Sequence, residues 1–199
     1  MKRKIYIAGL ILTLTTFAQG QIHSMADVNR YGGLEARISD IGGGFGAFYQ
    51  FAPLTNLQLL INLHWLSITA GEVTLYDNYG YPHKVNEVSL DFLKSGLGLK
   101  YHLFRGELAN AFSPFLMVQA GAVLAMDTPE YSSFKNKIKN ITSYGGYSGG
   151  IYGGIDFKAG GGYGFSVAAG YEINAFYQTI DGRSMWDGLS LVLQYGRIR

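Results

Sequence analysis

The chain reads as all-β: an eight-stranded antiparallel up-and-down transmembrane β-barrel over residues 21–199, behind a signal peptide at 1–20. Three observations predict this. Successive runs alternate between large apolar residues and small or polar ones with period 2, the pattern of strands with two unlike faces. Charged residues make up 15%, against about 25% in ordinary soluble domains, which is little to solvate a large surface. After the leader no stretch holds 18 apolar residues in a row, so membrane insertion falls to strands. The 28 glycines, 15 tyrosines and 12 phenylalanines suit many strands joined by tight turns. With no cysteine, disulfides, thiolate metal sites and a Cys-linked lipid anchor are excluded.

Residues 1–20 have the layout of an export signal: Lys2, Arg3 and Lys4, then a short apolar core, then Ala18 or Gly20 as the residue before the cut. The apolar run is shorter than the roughly 20 residues of a spanning helix. The segment takes three of the 16 basic residues and none of the 14 acidic ones, leaving 13 against 14. The apparent basicity therefore belongs to the leader, and no nucleic-acid footprint is expected.

Strands follow in order. The first, 31–38, sets Leu34, Ala36 and Ile38 against Glu35 and Arg37; the second, 44–51, sets Phe45, Ala47, Tyr49 and Phe51 against Gly44, Gly46, Phe48 and Gln50. In the third, 57–68, Leu59, Ile61, Leu63 and Trp65 oppose Gln58, Asn62 and His64, and a long polar loop, 70–87, follows. The fourth, 88–104, alternates cleanly from Leu97 through Leu99, Tyr101 and Leu103 against Lys94, Gly96, Gly98, Lys100 and His102. Its start fits less well, because Leu90 and Phe92 share parity with Lys94, and a bulge would reconcile the halves. The fifth, 114–126, leads to a second long loop, 127–147. The sixth and seventh form a glycine-turned hairpin within 149–173, in which Ile151, Ile155, Phe165, Val167 and Tyr171 oppose Tyr152, Asp156, Ser166 and Glu172. A third loop is expected at 174–187 and a last strand at 188–195. Short links then alternate with long ones, apart from the short first link, as in barrels with periplasmic turns and longer outside loops.

Alternation alone does not say which face is inside, since a soluble lipocalin-like ligand-binding barrel alternates as well. Volume and charge decide. The interior of eight strands is just wide enough for side chains to fill, and the bulky apolar parity is too large for it. A Lys or Arg facing lipid at mid-depth costs roughly 2–4 kcal/mol, which inward placement avoids. Buried charges then need partners. Glu35, Arg37, Lys94, Lys100, Asp156 and Glu172 are accordingly expected to form a polar network that plugs the lumen. Tyr49, Trp65, Tyr101, Tyr163, Tyr177, Trp186 and Tyr195, near strand ends, are expected to form aromatic girdles.

The run Lys94-Ser95-Gly96-Leu97-Gly98-Leu99-Lys100-Tyr101-His102-Leu103-Phe104, followed by Ser113-Pro114-Phe115-Leu116-Met117-Val118-Gln119-Ala120-Gly121, resembles a strand–turn–strand pattern of the outer-membrane protein β-barrel family. These are small OmpA/OmpX-like barrels, and the likeness is to Bacteroidota versions. The resemblance implies a bacterial outer-membrane location, lipid and lipopolysaccharide as surroundings, and assembly by barrel-insertion machinery. It is nearly silent on activity. Members usually finish on an aromatic residue; here the chain runs Tyr195-Gly196-Arg197-Ile198-Arg199, so Tyr195 would take that part.

Candidate chemistry is sparse. His64 and Ser67 faintly resemble the His/Ser/acid sites of barrel enzymes that modify lipid A, but their spacing puts them on opposite faces of a straight strand. His102 reads as a lumen filler, and His23 and His83 are too scattered for a metal site. Gly42–Gly46 and Gly160–Gly162 open no helix and so are not phosphate loops. Lys135, Lys137 and Lys139 alternate along one loop edge, where they could meet lipid phosphates or an unknown protein partner. The reading is a monomeric, non-enzymatic barrel without cofactor or catalytic residues, with a structural or surface-interaction role through its loops. The alternatives are a lipid A-modifying hydrolase or acyltransferase and a soluble ligand-binding barrel. An eight-stranded lumen leaves no wide channel for a general porin.

Overall fold

The computed structural model describes residues 25, 28–54, 56–70, 73–76, 82–85, 88–103, 112–128, 141–180 and 182–199. The strands are β1 (Arg30–Ser39), β2 (Gly42–Leu54), β3 (Leu57–Ala70), β4 (Val73–Tyr76), β5 (Pro82–Val85), β6 (Val88–His102), β7 (Phe112–Thr128), β8 (Thr142–Ala159), β9 (Tyr163–Ile180) and β10 (Arg183–Ile198). Eight of them close into an antiparallel barrel in the order β1-β10-β9-β8-β7-β6-β3-β2, while β4 and β5 pair as a separate hairpin between β3 and β6. Closure runs along the β1–β10 seam, from Tyr31 opposite Ile198 to Ser39 opposite Ser190. No strand of the barrel is left with an unpaired edge, the condition for strands to cross hydrocarbon.

The wall is apolar outside and polar at its centre inside. Leu34, Phe45, Leu97 and Ile151 are each about two-thirds or more exposed (71%, 74%, 67% and 67%), whereas Lys94 and Lys100 are 2% and 0% exposed. Leu99, Tyr101, Leu116, Val118, Leu189 and Leu191 continue the outward band. Tyr49, Tyr101, Tyr163 and Tyr195 lie on it near one end, with Tyr163 and Tyr195 stacked at 5.7 Å, and Trp65 and Tyr177 lie near the other. Trp186 departs from the expected girdle: it is 6% exposed and faces the lumen, edge-on to Phe92.

Three sequence expectations need correction, and one physical cause explains them. Register between β6 and its neighbours β3 and β7 is unbroken from Ser89 to Tyr101, so there is no bulge there. Leu90 and Phe92 point inward and pack with Leu66, Ile68, Val123, Ala125, Phe176, Ile180 and Trp186. The expected loop at 174–187 is mostly strand: β9 runs to Ile180 and β10 starts at Arg183, with Gly182 in the left-handed region at φ 76°. Near this end the pattern inverts. Inward positions turn apolar, and outward ones such as Ser67, Thr179 and Asp187 turn polar and exposed. The walls therefore continue past the apolar band, where oil-out alternation no longer marks a strand. The second long loop shortens similarly, because β8 already begins at Thr142.

At the opposite end the interior is apolar again. Met25 and Val28, ahead of β1, are 1% and 4% exposed and pack with Tyr31, Phe48, Leu60, Phe115, Met117, Tyr152, Ala168 and Val192. Met25 donates its backbone N–H to Ser113 Oγ at 3.0 Å, and Gln58 Nε2 donates to the carbonyl oxygens of Met25 and Val28 at 3.3 and 3.4 Å. Met25 and Val28 thus plug the barrel mouth.

Candidate functional site

Between the two apolar layers lies a belt of buried charge. Strand alternation puts Glu35 and Arg37 of β1, Lys94 of β6 and Glu172 of β9 on inner faces, and closure brings them together although these three strands are not neighbours. Arg37 is the hub. Its Nε and Nη2 donate to Glu35 Oε1 at 3.1 and 2.8 Å, and its Nη1 donates to Glu172 Oε2 at 2.7 Å and to the Tyr152 hydroxyl at 3.0 Å. The guanidinium also stands 5.5 Å from the centre of the Tyr152 ring. Tyr152 in turn donates to Glu172 Oε2 at 2.8 Å, and Lys94 Nζ pairs with Glu172 Oε1. Two cations thereby meet two carboxylates, which offsets the desolvation that each would suffer alone.

Amides complete the belt. Gln194 Nε2 donates to Glu35 Oε2 at 2.8 Å, and Gln50 Nε2 to Gln194 Oε1 at 2.9 Å. Gln119 Oε1 accepts from Arg37 Nη2 at 3.3 Å and from Asn62 Nδ2 at 3.4 Å. Asn174 Nδ2 donates to Glu172 Oε1 and to the Trp186 carbonyl, at 3.3 and 3.2 Å. His64 Nδ1 is 3.8 Å from Glu35 Oε1, too far for a hydrogen bond. Beside it a gap of about 10 Å³, lined by Arg37, Asn62, His64, Lys94, Gln119 and Glu172 among others, is room for about one water.

A second cluster lies closer to the chain termini. Lys100 Nζ reaches both Asp156 carboxylate oxygens at 3.1 Å and sits 4.1 Å from the Phe115 ring centre, while His102 Nε2 is 2.9 Å from Asp156 Oδ2. Lys100, His102 and Asp156 are all completely buried.

All six charged residues singled out in the sequence thus lie in the lumen, divided between two clusters. Sequence reasoning missed Tyr152, Gln50, Asn62, Gln119, Asn174 and Gln194; their inward parity beside a charge was the signal available. It also missed Met25 and Val28, whose short segment has no periodicity. The signal peptide at 1–20 and Lys135, Lys137 and Lys139 lie outside the described residues. His64 faces inward and Ser67 outward, so the two do not meet. Among the described residues, no cluster of three or more histidines or carboxylates is placed to hold a metal.

The whole wall can be compared with solved structures. Neisserial surface protein A aligns over 84% of this chain and 95% of its own, with a TM-score of 0.52 at 11% identity. The fold is that of a small outer-membrane barrel. The N-terminal β-barrel domain of Pseudomonas aeruginosa OprF aligns over 83% of this chain and 97% of its own (TM-score 0.42, 13% identity). Ail, the attachment invasion locus protein of Yersinia pestis, whose structure is a complex with the heparin analogue sucrose octasulfate, aligns over 85% and 96% (0.43, 13%). No protein-family model and no curated protein sequence matches the chain.

Proposed function

We propose that this protein is a monomeric, non-enzymatic barrel of the bacterial outer membrane, of the OmpA/OmpX-like kind, with a structural and surface-interaction role. The observation that carries the reading is the inversion of the wall: bulky apolar side chains outside, and an ion-paired, amide-filled belt inside. Such an exterior suits hydrocarbon, and such an interior leaves no aqueous path. The end bearing the connections 71–87 and 129–141 faces out of the cell, and the end bearing the termini faces the periplasm. Lys135, Lys137 and Lys139 offer charge to lipopolysaccharide phosphates or a protein partner from the outer side. The Neisserial neighbour is a surface protein by name, which agrees with a role at the cell exterior.

Fractionation combined with gel migration tests the reading. The protein is expected in the outer-membrane pellet and to migrate differently before and after boiling; recovery in a detergent-free periplasmic supernatant would count against a membrane barrel. A lipid A mass shift on deletion would instead support the enzyme class. Loss of lipopolysaccharide binding is expected on replacing the three loop lysines with Gln, and unchanged binding would remove them from the proposal.

A further inference from the structure

The described side-chain carboxylates are segregated. Glu35, Asp156 and Glu172 are inside, and Asp40, Asp91, Asp127 and Asp187 all stand near the end opposite the termini. At the termini-bearing end the outer wall carries arginines instead. Arg30 and Arg199 face each other across the β1–β10 seam, their backbones joined by hydrogen bonds of 2.8 and 3.2 Å, and Arg197 stands opposite Gly32. All three are exposed and share outward parity with Leu34 and Tyr195. Among the described residues none is in an ion pair with a carboxylate.

These arginines line a groove of about 300 Å³ with Tyr49, Gly32 and Gly33. Gly32 gives the groove a bare backbone floor. A Cβ there would come within 3.0 Å of the Tyr49 ring and crowd it. The groove runs onto the apolar wall, where Leu34 is 71% and Tyr195 51% exposed. Guanidinium groups bind phosphate oxygens in pairs of parallel hydrogen bonds. A ligand that suits both parts has an anionic phosphate head and a hydrocarbon tail.

We propose that this groove is a binding site for the phosphate of an anionic phospholipid, whose acyl chains lie along the wall above it. The site rests on the membrane reading, with the termini-bearing rim at a leaflet surface. It sets the depth of the barrel by anchoring one rim to headgroups.

Native mass spectrometry of the full chain in detergent tests it, with phosphatidylglycerol and a diacylglycerol of the same chains as probes. Wild type is expected to retain phosphatidylglycerol roughly tenfold better, and R197Q/R199Q and R30Q to lose that preference, since each removes charge-assisted hydrogen bonds. R183Q, at the opposite end of the barrel from the groove, should keep it. R197K/R199K should recover only part, because an ammonium lacks the fork. Equal retention of the two lipids, or an unchanged preference in R197Q/R199Q, would overturn the proposal. So would full displacement of the lipid by millimolar inorganic phosphate, which would mark a site for a soluble anion. Heat-modifiable migration of each variant checks folding. Wild type that enters vesicles without headgroup preference sinks the groove alone; wild type that fails to enter them sinks the membrane reading as well.

Discussion

Arg37 shows what one residue must do to be tolerated in a barrel centre. It has five donors, and Glu35, Glu172, Tyr152 and Gln119 take them. Removing one member leaves the others charged and dry, and breaking such a buried pair typically costs about 3–5 kcal/mol. Glu172→Gln strands Lys94 and half of Arg37, so urea unfolding of the barrel in lipid vesicles should show a loss of that order. Lys100→Ala should behave alike through Asp156, and an unchanged urea midpoint for either would mean that the ion pairs contribute nothing to stability. Added salt should hardly alter wild-type stability, because screening acts on exposed charges far more than on buried ones. A midpoint that falls steadily with salt would place these charges in contact with water. On the other face, Leu97→Arg sets a charge against hydrocarbon, for an expected loss of about 2–4 kcal/mol in vesicles. Equal stability of that variant would mean that Leu97 does not meet lipid.

At the scale of the element, the β8–β9 hairpin depends on a close approach. Gly170 pairs with Tyr152, and a Cβ at Gly170 would come within 2.5 Å of the Tyr152 ring. Gly170→Val should therefore push Tyr152 off Glu172 and Arg37 and destabilise the belt from a distance, which a double substitution with Tyr152→Phe would expose as non-additive loss. The central part of each strand was legible in the sequence because two unlike media, hydrocarbon and packed polar lumen, impose opposite chemistry on alternate residues. Leu97 and Lys100 are on the sides that parity assigns. Leu90, Phe92, Phe176 and Trp186 were misplaced because the rule reverses where the wall leaves hydrocarbon, and a reversed pattern looks like a loop or a bulge. The choice of partner was not legible either. Lys94 pairs with Glu172 and Lys100 with Asp156 across the lumen, and which acid meets which base depends on strand stagger around the barrel, a quantity that local spacing does not carry.

For the molecule as a whole, layering decides permeability. Apolar packing around Phe92 and Trp186 closes one end, the segment at Met25 and Val28 closes the other, and the belt fills the middle. In planar bilayers the wild-type barrel should pass no steady current. A persistent conductance would show an aqueous path through the belt. Seam closure has a consequence for assembly. Arg37 belongs to β1 and its second acid Glu172 to β9, so the Arg37–Glu172 pair, unlike the Arg37–Glu35 pair within β1, forms only after β10 has bonded back to β1. A sheet that entered the bilayer while still open would turn its polar inner face, with this pair unmade, to oil. Insertion and circularisation should therefore happen together, with the last strand pair acting as the clasp that lets the cylinder leave the water.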